Sequence, residues 1–181
     1  MPTREPKKVA IIGGGAAGFF SALTLSELDP DAEIHLFEKR NQWLSKVKIS
    51  GGGRCNVTHH CFDPKTLSEK YPRGSKELRA AFHTWQPQDT IDWFAQRKVQ
   101  LKAEADGRMF PTTDDSQTII NCFLEEARKS KIKLKKGHSI DGLRLNSDGS
   151  FLLKINGEDE VSYTAVCLAL GSLKSTPLEH S

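Results

Sequence analysis

The sequence lacks several features that would assign it to a specialised class of protein. Its 181 residues contain no apolar run near the roughly 18 residues that cross a bilayer, and its start has no apolar stretch typical of a signal peptide. It has only four cysteines, too few for a dense disulfide framework. We therefore expect a folded protein with reduced thiols and a cytoplasmic location, and no membrane partner.

A strong charge imbalance is also missing. There are 26 basic and 23 acidic residues, which gives a net charge of +3, and the basic residues are spread along the chain. The lysines of segment 131–135 alternate with apolar residues, which is typical of the solvated face of a short strand. Because these lysines also lack aromatic partners, we expect no nucleic-acid partner.

What the sequence does contain is a βαβ pattern near its start. Segment 8–12 is a short apolar run that ends in glycine, and segment 16–30 has apolar residues at helical spacing before a proline. In segment 32–39, isoleucine and leucine alternate with His35 and Phe37, which predicts a second strand.

Further elements are predicted along the rest of the chain. They are a long Gly-rich functional loop with some local helix at 40–75, amphipathic helices at 89–99 and 116–131, a strand at 132–136, hairpin turns at 147–149 and 156–157, and a strand at 165–170. We group these as one domain, 1–181, with a cofactor loop at 40–75, a helical part at 76–130 and a β-meander at 131–170. The predicted fold class is α/β, with a Rossmann-like βαβ unit, a parallel sheet and a β-hairpin or meander layer; the motifs described next predict that this domain binds a dinucleotide, FAD or NAD(P).

The first chemical motif is a glycine turn directly after the first strand. Gly13, Gly15 and Gly18 follow the G-x-G-x-x-G spacing, which predicts a tight turn, a close approach of backbone to a pyrophosphate, and close packing of helix on strand. Glu38 lies twenty residues after Gly18, where a carboxylate binds a ribose diol and repels a 2′-phosphate. This spacing alone favours FAD or NAD over NADP and does not separate FAD from NAD; the alternative is a glycine turn that binds no ligand.

The second motif is "KVKISGGGRCN" at 46–56. Consecutive glycines let backbone donors approach an anion or a flat ring, and Lys46 and Arg54 could balance the charge of a diphosphate or a reduced flavin. A metal site is the first alternative, because Cys55 and the His59-His60-Cys61 run are zinc-ligand types, but the usual paired spacing is missing and we predict no metal. A reactive Cys55 thiol with a lowered pKa is the second, and simple packing of Cys55 near a cofactor is favoured over it.

These motifs together resemble the BaiN-like flavoproteins, a family of FAD-dependent, often NAD(P)-linked oxidoreductases also called aminoacetone-oxidase-like. The resemblance rests on "IIGGGAAGF" (11–19), "FEK" (37–39), "KVKISGGGRCNVT" (46–58), "GRMFPTTDDSQTII" (107–120) and "AVCLALG" (165–171). It implies a bound FAD with NAD(P)H as a possible electron donor. The residues it implies for FAD are Gly13, Gly15, Ala16, Ala17, Gly18, Glu38, Lys39, Lys46, Ser50, Gly51, Gly52, Gly53, Arg54, Cys55, Asn56, Ile140 and Gly171. In the fourth motif, Arg108 is either a cofactor or substrate neighbour or a surface residue, with Phe110 in the core.

The resemblance also implies that a substrate domain is missing, because family members are more than twice as long. We expect the chain to be the N-terminal part of an FAD-dependent oxidoreductase, with a partner chain as one possible source of the rest. The isolated chain should then bind FAD weakly or not at all. The alternative is a non-catalytic dinucleotide-binding module or an inactive fragment. No residue pattern identifies a catalytic acid or base, and the substrate is not predicted.

Overall fold

The chain divides into two compact units, one formed by two separate segments of the sequence and the other by a single segment. A computed structural model describes residues 7–71 and 73–171. The first unit comprises the described residues up to Ser45 and those from Phe123 onwards, and the second is Lys46–Cys122. The second unit is therefore an insertion in the sequence of the first.

The predicted elements are present in the predicted order. The strands are β1 (Lys8–Ile12), β2 (Glu33–Glu38), β3 (Thr58–His59), β4 (Leu101–Ala103), β5 (Arg108–Pro111), β6 (Lys133–Lys136), β7 (Ile140–Leu145), β8 (Phe151–Ile155), β9 (Asp159–Tyr163) and β10 (Ala165–Leu168). The helices are α1 (Ala16–Leu28), α2 (Ser45–Ile49), α3 (Pro64–Ser68), α4 (Ser75–Ala81), α5 (Pro87–Gln96) and α6 (Ser116–Lys129), with a 3-10 turn at Ser50–Gly53. Strands β3, β4 and β5 were not predicted, and the predicted helical part at 76–130 contains two of them.

A four-stranded parallel sheet forms the centre of the first unit. Its order is β10-β1-β2-β6, and Val9 of β1 lies opposite Ala165 of β10 and Ile34 of β2. Helix α1 connects β1 to β2 and ends at Leu28, because the Asp29-Pro30 pair that follows does not continue a helix. This is the Rossmann-like α/β arrangement that the βαβ pattern predicts.

The parallel sheet is covered on both faces. Helix α1 packs against β1, β2 and β10. The other face packs against the antiparallel sheet β7-β8-β9, and the two sheets share one core. Its buried members are Ala10, Ile12, Phe37, Leu153, Ile155 and Tyr163.

The structure refines two details of the sequence prediction, the burial of residues in β2 and the extent of the β-meander. In β2, His35 and Phe37 are buried as well as the residues that alternate with them, because a strand inside a covered parallel sheet has no solvated face. The predicted meander at 131–170 is also narrower. Only β7, β8 and β9 pair antiparallel, whereas β6 and β10 join the parallel sheet because their chain direction matches that of their neighbours β2 and β1.

The second unit has a small antiparallel sheet of order β3-β5-β4. Helix α5 packs against β3 and β4 and begins at a capping box formed by Gln86 and Asp89. Its buried face includes Trp93 and Phe94, while the small Ala95, which lies at helical spacing from Ile91, is exposed. The large tryptophan takes the buried position instead.

The predicted loop at 40–75 does contain local helix, in α2, the 3-10 turn and α3. No helix within residues 7–71 and 73–171 is both long enough and apolar enough to span a membrane.

Candidate dinucleotide site

The glycine turn after β1 is tight for two steric reasons. Gly13 has φ +118, and a Cβ there would lie 2.2 Å from the carbonyl oxygen of Ala169, just after β10. At Gly18 a Cβ would lie 1.9 Å from the carbonyl oxygen of Gly13. Both contacts are with backbone, which cannot swing aside. The structural part of the prediction for Gly13 and Gly18 is therefore confirmed.

Gly15 is different, because no heavy atom lies within 4 Å of the position that its Cβ would take. Its neighbour Gly14 is covered instead, since a Cβ at that position would meet the ring of Trp43 at 2.4 Å. Gly15 precedes α1 with no side-chain cap, and the next residues, Ala16 and Ala17, are exposed. The start of α1 therefore presents bare backbone and its partial positive charge to an open surface.

Glu38 lies beside this turn and is held by two backbone donors. The amide of Gly14 donates to Oε2 of Glu38 at 3.0 Å, and the amide of Arg40 donates to Oε1 at 2.9 Å. Each carboxylate oxygen can accept a further hydrogen bond. The carboxylate is thus oriented by the same turn that exposes Gly15, which fits a role as acceptor for a ribose diol.

In the second unit, the "SGGG" stretch forms a left-handed turn. The φ values of Gly51, Gly52 and Gly53 are +56, +69 and +88, a region that glycine adopts without steric cost. A Cβ at Gly51 would lie 2.7 Å from the ring of Phe110, so this glycine is needed for packing. Gly52 has nothing within 4 Å and Gly53 has only one backbone atom at 4.0 Å. Two glycines of the turn therefore leave their backbone open.

Arg54 is engaged with acidic and aromatic neighbours inside this unit. Its guanidinium stacks on Phe110 with 4.0 Å to the ring centroid, forms a hydrogen-bonded ion pair with Glu104, and lies 3.7 Å from Asp114. Hydrogen bonding to Glu104 raises the pKa of the Arg54 guanidinium. The charge of Arg54 is thus already balanced. Sequence reasoning missed Glu104 and Asp114, because no local pattern signals a contact across 50 residues or more.

Cys55 is a packing residue rather than an activated thiol. Its side chain is 5% exposed and its φ is +64. Burial raises the pKa of the thiol, although Ser50 acts weakly in the opposite direction. The alternative of a redox thiol with a lowered pKa is therefore wrong for this conformation.

The neighbouring histidines and cysteine have other contacts. Nε2 of His59 lies 3.1 Å from the carbonyl oxygen of Asp106, the ring of His60 packs on Phe62, and Sγ of Cys61 faces a backbone carbonyl. In the part of the chain that the structure describes, no three His, Cys, Asp or Glu side chains are grouped to hold a metal ion.

Residues 7–178 match the HI0933-like protein Rossmann domain. The chain belongs to this family. The match extends over nearly the whole chain, so the predicted resemblance to this group of flavoproteins is confirmed.

The curated relatives are considerably longer. A 3-dehydro-bile acid delta(4,6)-reductase of Clostridium scindens is 26% identical over 171 residues, which are 94% of this chain and 40% of that protein. The ribosomal RNA dihydrouridine synthase of Escherichia coli is 26% identical over 147 residues, which are 81% of this chain and 35% of that protein. The chain therefore spans about two-fifths of the relatives it matches.

Solved structures share the fold at low identity. The FrdA chain of E. coli quinol fumarate reductase superposes with a TM-score of 0.62 at 14% identity, covering 91% of this chain and 32% of that one. The THI4 protein of Thermovibrio ammonificans superposes with a TM-score of 0.56 at 13% identity, covering 89% and 56%. At these identities the likeness shows the Rossmann-like fold alone.

The remaining predicted site residues of this HI0933-like chain are placed as follows. Lys39, Lys46 and Asn56 are exposed, and Gly171 is exposed with φ +76. Ser50 donates its hydroxyl to the carbonyl oxygen of Val47 at 3.0 Å.

Ile140 packs its side chain against the shared core and pairs with Ile155 of β8. The segment that lies directly beside Glu38 is instead at His138, whose amide donates to the carbonyl oxygen of Glu38 at 3.0 Å. Sequence reasoning missed His138, and the strand ending at Lys136 was the signal that could have indicated it.

Arg108 and Phe110 are resolved into different roles. Phe110 is fully buried, whereas Arg108 is exposed and pairs with Asp106 through Nε at 2.7 Å. These contacts agree with the second of the two interpretations of the sequence, in which Arg108 is a surface residue and Phe110 belongs to the core.

Proposed function

We propose that this chain is the N-terminal, FAD-binding part of an FAD-dependent oxidoreductase. One observation carries the proposal. No residue covers the position that a Cβ of Gly15 would take, and the amide of the neighbouring Gly14 holds the Glu38 carboxylate beside the same turn. Membership of the HI0933-like family and a relative whose name is a reductase support the same function.

In this proposal the first unit holds the adenosine diphosphate half of FAD. The backbone at Gly13, Gly15 and Gly18, with the amides of Ala16 and Ala17, would bind the pyrophosphate at the start of α1. Glu38 would accept hydrogen bonds from the ribose hydroxyls, with Lys39 following it. Backbone around Ile140 is the proposed contact for adenine, and His138 is a second candidate because it is bonded to the Glu38 main chain.

The flavin half is assigned to the "SGGGRCN" segment of the second unit. The open backbone of Gly52 and Gly53 can approach a flat ring or an anion, with Lys46 as a nearby positive charge in the sequence. Ser50, Gly51, Arg54, Cys55 and Asn56 complete this proposed loop, and Gly171 is a further proposed contact from the first unit.

The proposed contacts give the cofactor and the protein different roles. Bound FAD would supply hydride or electron transfer, with NAD(P)H as the proposed donor. The residues of this chain bind and orient the cofactor, and we assign none of them a proton-transfer role. The substrate, and any partner chain that completes the enzyme, lie outside these contacts. We also propose a cytoplasmic location, which fits four cysteines that form no disulfide bond.

The proposal is tested by titrating the isotopically labelled chain with FAD and following backbone amides by NMR, a method that detects the weak binding expected here. The amides of Gly15, Ala16 and Ala17 should shift on binding. Glu38→Gln should weaken binding about tenfold, because the amide keeps one acceptor oxygen and loses the charge. Asp31→Asn, an exposed acid in the same unit, is the matched control and should bind FAD as the unchanged chain does.

Discrimination against a 2′-phosphate gives a second readout. ADP-ribose should bind more tightly than its 2′-phosphate form, by about ten- to thirtyfold, because two like charges about 4 Å apart in water repel by about 1 kcal/mol and the phosphate carries nearly two. Glu38→Gln should remove most of this difference. Unchanged amide signals of Gly15, Ala16 and Ala17 on FAD addition, or equal affinity for the two nucleotides, would contradict the assignment.

A further inference from the structure

We propose that Glu104 is a positioning residue that acts through Arg54 to hold the left-handed Gly51–Gly53 turn in its open conformation. The inference rests on the proposed function, in that this turn is taken as the flavin-binding loop. The contacts that carry it all lie in the second unit.

The turn needs support from outside itself. Three consecutive glycines and Cys55 all have positive φ, and glycine loses more conformational freedom on ordering than other residues. Two backbone hydrogen bonds close the turn, and both run to the carbonyl oxygen of Ser50, one from the amide of Arg54 and one from the amide of Cys55 at 3.0 Å. Because both bonds end on one acceptor and the segment between them is glycine, contacts from neighbouring side chains are needed to order the turn.

Phe110 supplies one of those neighbours and connects the turn to Arg54. Its ring lies against Gly51, where a Cβ would be 2.7 Å away, and the Arg54 guanidinium lies 4.0 Å from the centroid of the same ring. Phe110 is fully buried on β5 and therefore has a fixed position. Arg54 follows the turn directly, so fixing its side chain on this ring fixes the end of the turn.

Glu104 is the group that holds Arg54 on the ring. It lies at the start of the β4–β5 hairpin loop, and both of its oxygens contact the guanidinium, Oε1 closely and Oε2 at 3.5 Å. Such a side-on pair restricts the plane of the guanidinium. Asp114 is a poorer substitute, because it lies 3.7 Å from Arg54 and also bonds to Lys102.

The ordered turn also has a consequence for ligand binding at Gly52 and Gly53, whose backbone is not covered by other residues. A loop that is already ordered loses less entropy when it binds a ligand, so its contacts contribute more to affinity. Glu104 touches neither Gly52 nor Gly53, and its effect on a cofactor is therefore indirect.

The experiment compares Glu104→Gln with Asp106→Asn in the full 181-residue chain. Asp106 lies in the same hairpin loop and loses the same charge, but it bonds to Arg108 and not to Arg54. Amide hydrogen exchange at Cys55 reports closure of the turn. We expect exchange about tenfold faster in Glu104→Gln, since a charged hydrogen bond is lost, and within about twofold of the unchanged chain in Asp106→Asn.

Two further proteins, Arg54→Met and the double variant Arg54→Met with Glu104→Gln, test whether Glu104 acts through Arg54. Adding Glu104→Gln to Arg54→Met should change exchange at Cys55 by less than about twofold, because the pair is already broken. Unchanged exchange in Glu104→Gln, an equal increase in Asp106→Asn, or additive effects in the double variant would each overturn the inference.

FAD affinity and the visible circular dichroism of bound FAD provide the link to function. Glu104→Gln should weaken FAD binding about tenfold and alter the flavin signal, while Asp106→Asn leaves both unchanged. Equal FAD binding by Glu104→Gln and the unchanged chain would overturn the role toward the cofactor. FAD-induced shifts that leave out Gly15, Ala16 and Ala17 would contradict the proposed function instead, and exchange at Cys55 would still decide whether Glu104 holds the turn.

Discussion

The glycine turn predicts that a methyl group at Gly15 changes binding without changing stability, whereas one at Gly18 changes stability. A Cβ at Gly18 would lie 1.9 Å from the carbonyl oxygen of Gly13, so backbone must move by about 1 Å to restore a normal contact. We expect Gly18→Ala to lower the free energy of unfolding by about 2–4 kcal/mol, after a gain of about 1 kcal/mol from helix propensity. At about 2–4 °C per kcal/mol this lowers the melting temperature by about 5–15 °C.

Gly15→Ala should behave in the opposite way. The backbone at Gly15, with φ −90 and ψ −175, suits alanine, and nothing lies within 4 Å of the new methyl group. The smaller entropy of the unfolded chain adds about 0.4–1 kcal/mol, and the poorer helix cap removes a similar amount, so stability should change by less than about 0.5 kcal/mol. The methyl group would occupy the space assigned to the pyrophosphate and weaken FAD binding about tenfold or more.

Thermal unfolding and the FAD titration of the two variants measure both quantities. The result that would refute the reasoning is a Gly15→Ala chain that melts like Gly18→Ala, or one that binds FAD as tightly as the unchanged chain. The first outcome would mean that Gly15 is needed for the fold, and the second that the open space before it is not where FAD binds.

Two further predictions concern other buried groups. His35 is 8% exposed, and in its neutral form it donates from Nε2 to Glu33 and accepts at Nδ1 from the Tyr163 hydroxyl. Burial holds the pKa of His35 below its ordinary 6.5, so the unfolded chain takes up the proton first, and the free energy of unfolding measured in urea should fall from pH 7.5 to 5.5. His35→Phe should flatten this slope. The contribution of Glu33, whose pKa is lowered to about 2, is lost only below about pH 4.5 and does not affect this range. The buried Cys55 thiol should be alkylated at pH 8 at least about tenfold more slowly than the part-exposed Cys61, as measured by mass spectrometry of the peptides, and faster labelling of Cys55 would contradict its burial.

Sequence patterns predicted those parts of the molecule that local physics determines. The order β1-α1-β2, with Glu38 at the end of β2, follows from an apolar run, a glycine turn and a helix stop within forty residues. The burial of His35 could not be predicted in this way, because it depends on Tyr163, which lies 128 residues further along the chain. The same holds for Arg54, whose sequence neighbours indicate a free cation and whose actual partners come from the β4–β5 hairpin loop and the residues after β5.

The candidate site shows the same division. The spacing of Gly13, Gly15 and Gly18 predicted a turn, but only the structure separates the two glycines that are needed for packing from the one that faces open space. That distinction depends on the carbonyl groups of Ala169 and Gly13, and no periodicity of the sequence connects Ala169 to the turn.

The position of β1 in its sheet has a consequence for synthesis of the chain. Val9 of this strand pairs with Ala165, so one of the two neighbours of β1 is made about 8 to 30 s after β1 itself at ordinary translation rates. Until then the edge of an apolar strand stays unpaired, which is the condition under which β-strands associate with other chains. The inserted segment 46–122 has a shorter delay, about 2 to 10 s, because its three strands pair among themselves and the partner of β3 lies only about 50 residues further on. We therefore expect stalled or prematurely ended chains of this protein to aggregate through β1 and not through the inserted unit.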